Sequence, residues 1–127
     1  MAACATPQKP LTPDGTVTKA ELSLRFEDIV YRRQGNDNVY DHKRVFEEHN
    51  GVGATLTEGR ICSVKTQECP VSGKVNYRIE GNGTFVLEGQ NVYTRENVDP
   101  LDIIIKYLGK DDHGNPISVE QRWSQTK

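Results

Sequence analysis

Three small groups of residues have the types and spacing that chemistry needs. Cys62 and Cys69 stand seven apart in Ile61-Cys62-Ser63-Val64-Lys65-Thr66-Gln67-Glu68-Cys69-Pro70. A polar loop of that length can close as a disulfide across a hairpin end. The loop is short, so the bond stabilises by at most about 2 kcal/mol. The rival is half of a zinc site, which lacks a second cysteine pair and any finger-like spacing among His42, His49 and His113. Two free thiols are the third alternative. Asp111, Asp112, His113 and Asn115 gather oxygens and an imidazole within one short stretch. Their spacing departs from an Asp-x-Asp-x-Asp-Gly calcium loop, and Asp, Gly and Asn are what a tight turn requires. A turn is expected there, with no metal. Asp41-His42, Glu47-Glu48 and His49 are acid/base types, since histidine titrates near neutral pH and carboxylates orient it. No recognised nucleophile setting, glycine-rich phosphate loop or His-Glu-x-x-His segment accompanies them. No catalytic residue and no cofactor is expected.

The elements that must carry these groups read as strands. Leu22, Leu24 and Phe26 alternate with Ser23 and Arg25, the period of a half-buried strand. Ile29 and Tyr31 continue on the opposite parity, so a bulge is expected at Glu27-Asp28. Gln34-Gly35-Asn36-Asp37-Asn38 reads as a turn. Asp41-His42-Lys43-Arg44 interrupts the apolar positions, so the next strand is placed near Lys43 to Glu48. His49-Asn50-Gly51 then turns into a strand from Ala54 to Val64. Val75, Tyr77 and Ile79 alternate before Gly81-Asn82-Gly83, a hairpin turn leading to Phe85 and Leu87, with a kink at Gly89 before Val92 and Tyr93. Asn82-Gly83-Thr84 has the form of a glycosylation sequon, which a turn also explains. Leu101 to Leu108 is the most apolar segment, with Ile103, Ile105 and Tyr107 on one face and Ile104 on the other. It reads as a central strand buried on both faces. Ile117, Val119 and Trp123 line one side of the last strand.

The expected fold class is all-β: about seven antiparallel strands in a meander closing into a small barrel, or in a two-sheet sandwich, behind a disordered N-terminal tail. Residues 16–127 form a single β domain and residues 1–15 a tether. The chain has 127 residues, of which 35% are hydrophobic, so its core is thin for one domain. Sixteen basic against eighteen acidic residues give a net charge of −2, with no basic excess to bind nucleic acid. No apolar run reaches the roughly 20 residues of a membrane-spanning helix. Tyr40 and Tyr93 sit beside polar neighbours, and aromatics with a polar tip suit a partner interface.

The third cysteine, Cys4, follows Ala2-Ala3 and precedes Ala5-Thr6-Pro7-Gln8-Lys9-Pro10. This junction resembles that of bacterial lipoproteins, in which small residues precede the cysteine that carries the lipid. The resemblance covers about four residues and the spacer after them. It implies that Met1 replaces the end of a removed signal peptide, that Cys4 is lipidated, and that the chain attaches to a membrane of the bacterial cell envelope. The implied place is the outer membrane, facing the periplasm or the cell surface. Residues 5–15 contain three prolines and form a semi-extended spacer, on the order of 30 Å at about 3 Å per residue. An oxidising envelope would also permit the Cys62–Cys69 bond.

Together these features lead to an expected function without chemistry. The β domain binds another protein of the envelope, as an assembly accessory of a secretion or surface machine or as an inhibitor or immunity protein. The alternative is a carrier that holds a small apolar molecule in a barrel cavity.

Overall fold

The computed structural model describes residues 18–95 and 101–125. Cys4 and the tether lie outside these residues. Seven strands follow one another: β1 (Leu22–Gln34), β2 (Asp37–Glu48), β3 (Ala54–Ser63), β4 (Val71–Ile79), β5 (Thr84–Arg95), β6 (Leu101–Asp111) and β7 (Pro116–Gln125). They pair antiparallel in two sheets, β1-β2-β5 and β4-β3-β6-β7. The result is a two-sheet sandwich. A closed barrel does not form.

Alternating positions along each strand point to one face, and the inner faces of both sheets supply the core. Phe46, Leu56, Ile79 and Ile105 are its most completely buried large side chains. Leu24, Val92, Tyr107, Val119 and Trp123 join them. The expected bulge in β1 is present: the register with β2 shifts between Glu27 and Val30, and Asp28 has φ 55°. The extra residue returns Tyr31 to the inner face after Leu22, Leu24 and Phe26. Gly89, at φ 69°, does the same for β5, where the register shifts between His42 and Arg44.

Four expectations are corrected. The order is not a meander: β5 leaves β4 to pair with β2, and β6 pairs with β3. Gly81-Asn82-Gly83 is therefore a crossover between sheets, not a hairpin turn. Second, β2 begins at Asp37, before the charged run 41–44, because His42 and Arg44 point inward with Tyr40 and Phe46. Third, β6 is internal to its sheet but buried on one face only. Ile105 and Tyr107 are buried, while Ile104 and Leu108 are half-buried on a face that no third layer of the described residues covers. Lastly, Tyr40 turns into the core. It is 6% exposed and packs on Trp123 and Tyr31.

Candidate binding cleft

Two edge strands, β4 and β5, flank one side of the sandwich, and the sheets part between them. Two adjoining cavities lie along this side. The inner one, about 220 Å³, is lined by Arg44 of β2, Gly59 and Ile61 of β3, Val71 to Val75 and Tyr77 of β4, Gln90 of β5 and Tyr107 of β6. The outer one, about 560 Å³, is bordered by Ile61, Pro70, Val71, Val92, Tyr93 and Ile103. Ile61 and Val71 belong to both, so the two form one cleft.

A missing side chain at Gly73, where a Cβ would meet nothing within 4 Å, leaves room for the inner cavity. Gly59 pairs directly with Gly73, and Gly59 also pairs with inward-facing Tyr107. Both glycines therefore sit on the inner face. A Cβ on Gly59 would lie 2.8 Å from the Tyr107 ring, which fills the space instead. The outer cavity owes its lip to the Cys62–Cys69 disulfide, whose sulfurs are 2.01 Å apart. It closes the loop between β3 and β4, as the sequence led us to expect. Ser63 N donates to Glu68 O at 2.8 Å and Gln67 N to Ser63 O at 2.8 Å across the same loop. Pro70 and Val71 follow at once, and Val71 is left 54% exposed. Tyr93 stands on the opposite lip, 63% exposed.

A chain of polar groups forms the cleft's inner wall. Arg44 is buried, 5% exposed. Its Nε–H donates to His42 Nε2 at 3.0 Å, and Nη1 donates to the Tyr107 hydroxyl at 2.7 Å. An imidazole nitrogen that accepts from a guanidinium carries no proton. The His42 proton therefore sits on Nδ1, which donates to the Tyr40 carbonyl at 3.0 Å. Burial pushes the His42 pKa below its ordinary value of 6.5, and the Arg44 charge pushes it the same way against the Tyr40 bond. Burial, with Tyr107 beside it, raises the Tyr77 hydroxyl, which stays protonated.

The acid/base types singled out in the sequence do not converge. Asp41 points outward and binds Arg32 at 2.6 Å. His49 meets the Ser23 hydroxyl at 2.8 Å. Glu47 pairs with Arg25. Glu48 turns inward and accepts backbone N–H bonds from Glu21, Asn50, Gly51, Val52 and Asn82. It pins two of the connections between the sheets, the one after β2 and the one after β4. The Asp111 to Asn115 segment is built as a turn: Asp111 accepts from the N–H groups of Ala20, His113 and Asn115 and from the Asn115 amide. Asp112 pairs with Arg78. The sequence reading missed Arg44, Gly59 and Gly73. Arg44's place in the alternation Tyr40, His42, Arg44, Phe46 was the available signal.

No protein-family model matches the chain, and no curated protein matches it. Among solved structures it is similar to the X-ray structure of Northeast Structural Genomics Consortium target SoR45, at 14% identity and a TM-score of 0.48, over 86% of this chain and 87% of that one. A likeness at that level carries no argument about function.

Proposed function

We propose that the chain is a cell-envelope lipoprotein, tethered through a lipid on Cys4, whose β sandwich binds another protein without catalysis. The observation that carries the binding half is the cleft. Two edge strands flank it, with exposed apolar groups on both lips, Val71 at 54% and Tyr93 at 63%. Edge strands offer unpaired backbone N–H and C=O groups, a ready template for an extended segment of another chain. The scattered acid/base residues support a binding role over an enzymatic one. For the tether, the support is the Ala2-Ala3-Cys4 junction and the proline-rich spacer.

Each half has its own test. A photoreactive residue placed at Val71 or Tyr93 should cross-link one discrete envelope protein in cells. The same residue at Glu120, on the outer face of β7, should not. Equal or absent adducts at both places would defeat the cleft as the interface. With the natural leader, Cys4→Ser should move the protein from the membrane to the soluble envelope fraction, because buried acyl methylenes contribute about 0.8 kcal/mol each. Membrane retention of the serine variant would sink the tether.

A further inference from the structure

Besides Arg33, which is exposed and donates to the Gly35 carbonyl, six arginines have described side chains. Arg25, Arg32, Arg60, Arg78 and Arg122 each pair with a carboxylate, and all five are substantially exposed. Arg44 is the most buried of the six, and it pairs with no carboxylate of a described residue. Its two bonds go to neutral acceptors, the His42 imidazole and the Tyr107 hydroxyl. Withdrawing a guanidinium from water is costly unless an opposite charge compensates it. Nη2 makes no hydrogen bond to any described residue, and Arg44 lines the inner cavity.

The rest of that cavity complements a carboxylate. Tyr77, Gln90 and Lys74 bring a hydroxyl, an amide and an ammonium to its wall, and no acidic side chain lines it. Two carboxylates of neighbouring strands are engaged elsewhere: Glu58 holds Arg60 at 2.5 Å, and Glu88 lies 3.7 Å from Lys43. A volume of about 220 Å³ takes a carboxylate on a short stem. Beyond Ile61 and Val71 the cleft turns apolar, with Val92, Ile103 and Tyr93. A positive inner end and an apolar outer end describe a ligand with one acidic group next to apolar ones.

We infer that the inner cavity is a carboxylate-binding site. Arg44 is the counter-ion for an acidic side chain on an extended segment of the protein partner, and flanking apolar side chains of that segment occupy the outer cavity. This inference rests on the protein-binding reading of the cleft and names what the partner must present. Charge-assisted bonds from a guanidinium are among the strong ones, and exclusion of water at this depth strengthens them. Because His42 is held neutral by accepting from Arg44, the guanidinium is fixed in orientation before the ligand arrives.

The test uses the isotope-labelled full chain and two pairs of probes. The first pair is butyrate and its neutral isostere butyramide. The second is the blocked tripeptide Ile-Glu-Ile and its Ile-Gln-Ile counterpart. Butyrate should shift the Arg44 Nε–H and the Gly59, Gly73 and Gln90 signals saturably, and butyramide should not. The glutamate peptide should bind about tenfold or more tighter than the glutamine peptide, with shifts reaching Val71 and Tyr93. Arg44→Gln should erase that preference. A second readout needs no substitution: an anion on Arg44 should raise the His42 pKa, because part of the charge that lowers it is then compensated. Equal binding of acid and amide, or an unmoved His42, would overturn the site. Butyrate binding with no gain from the peptide would overturn the polypeptide ligand and leave a site for small acids. Carboxylate binding without cross-links at Val71 or Tyr93 would instead remove the protein-binding reading. Cross-links without acid preference would remove only this inference.

Discussion

At the scale of single residues, two buried carboxylates hold the turns of this sandwich. Glu48 is 3% exposed and its oxygens collect five backbone N–H groups from three segments. Burial by itself would raise its pKa, but the N–H donors outweigh burial and hold it below its ordinary 4.5. Asp111 repeats the pattern below 3.8: burial is overcome by the Asn115 amide and by backbone donors from Ala20, Asn115 and His113. Groups depressed in the folded state bind protons more readily when unfolded. Their contribution is complete above the unfolded pKa and is lost as pH falls through the folded one. His42, also depressed, follows the same sign from 6.5 downward. Stability should therefore begin to fall below about pH 6.5 and drop again below about pH 4.5. Glu48→Gln turns one acceptor into a donor that faces other donors. It should cost about 2–4 kcal/mol at pH 7, and its stability should depend less on pH below about 4.5 than the wild type's. Urea melts across this range measure both. A variant as stable and as acid-sensitive as wild type would remove Glu48 from this role.

At the scale of elements, β6 is an internal strand. It lies between β3 and β7, and Ile105 is 1% exposed on its inner face. Ile105→Ala should cost about 2–5 kcal/mol, the range for a buried large-to-small change. His113, in the turn beyond, is half-buried, and its Nδ1 lies 2.8 Å from the Thr18 carbonyl. His113→Ala should cost less than about 1 kcal/mol. Gly109 is a sharper test of sheet packing, because a Cβ there would sit 2.0 Å from the Thr55 carbonyl and 2.7 Å from Leu56 Cα. Backbone cannot swing aside as a side-chain tip can, so Gly109→Ala should destabilise by about 3 kcal/mol. A mild Gly109→Ala with a severe His113→Ala would put the weight in the turn instead of the sheet.

At the scale of the whole molecule, the disulfide closes a peripheral loop while the core sits between the sheets. Leu56 and Ile79 lie at one end of the β3–β4 pair, and the Cys62–Cys69 loop belongs to the other. Reduction should leave the strand content by circular dichroism unchanged and lower stability by no more than about 2 kcal/mol. The local effect should be larger. Pro70 and Val71 form the lip next to Cys69, so amide exchange at Val71 and Ser72 should quicken on reduction while Ile105 keeps its protection. Global unfolding on reduction would show that the loop braces the sandwich itself.

The alternation of apolar residues was enough to give seven strands, because a strand half-buried against a core must place apolar groups at every second position. It also located the β1 bulge, since Leu22, Leu24 and Phe26 can share a face with Tyr31 only if one residue is skipped. Cys62 and Cys69 showed their pairing through loop length. The alternation failed where inward positions are polar. His42, Arg44 and Glu48 looked like an interruption or a solvated face, because an isolated sequence does not say that a carboxylate will meet five N–H groups or that a guanidinium will meet an imidazole. Which strands pair was equally out of reach. Short connections favour neighbours, yet both Asn50-Gly51 and Asn82-Gly83 cross between the sheets, pinned by Glu48. The cleft was decided by tertiary structure alone. It exists because Gly59 and Gly73, fourteen residues apart, come opposite each other beneath Tyr107. A local pattern records which face a side chain takes, whereas the space left between two sheets depends on what stands across from it.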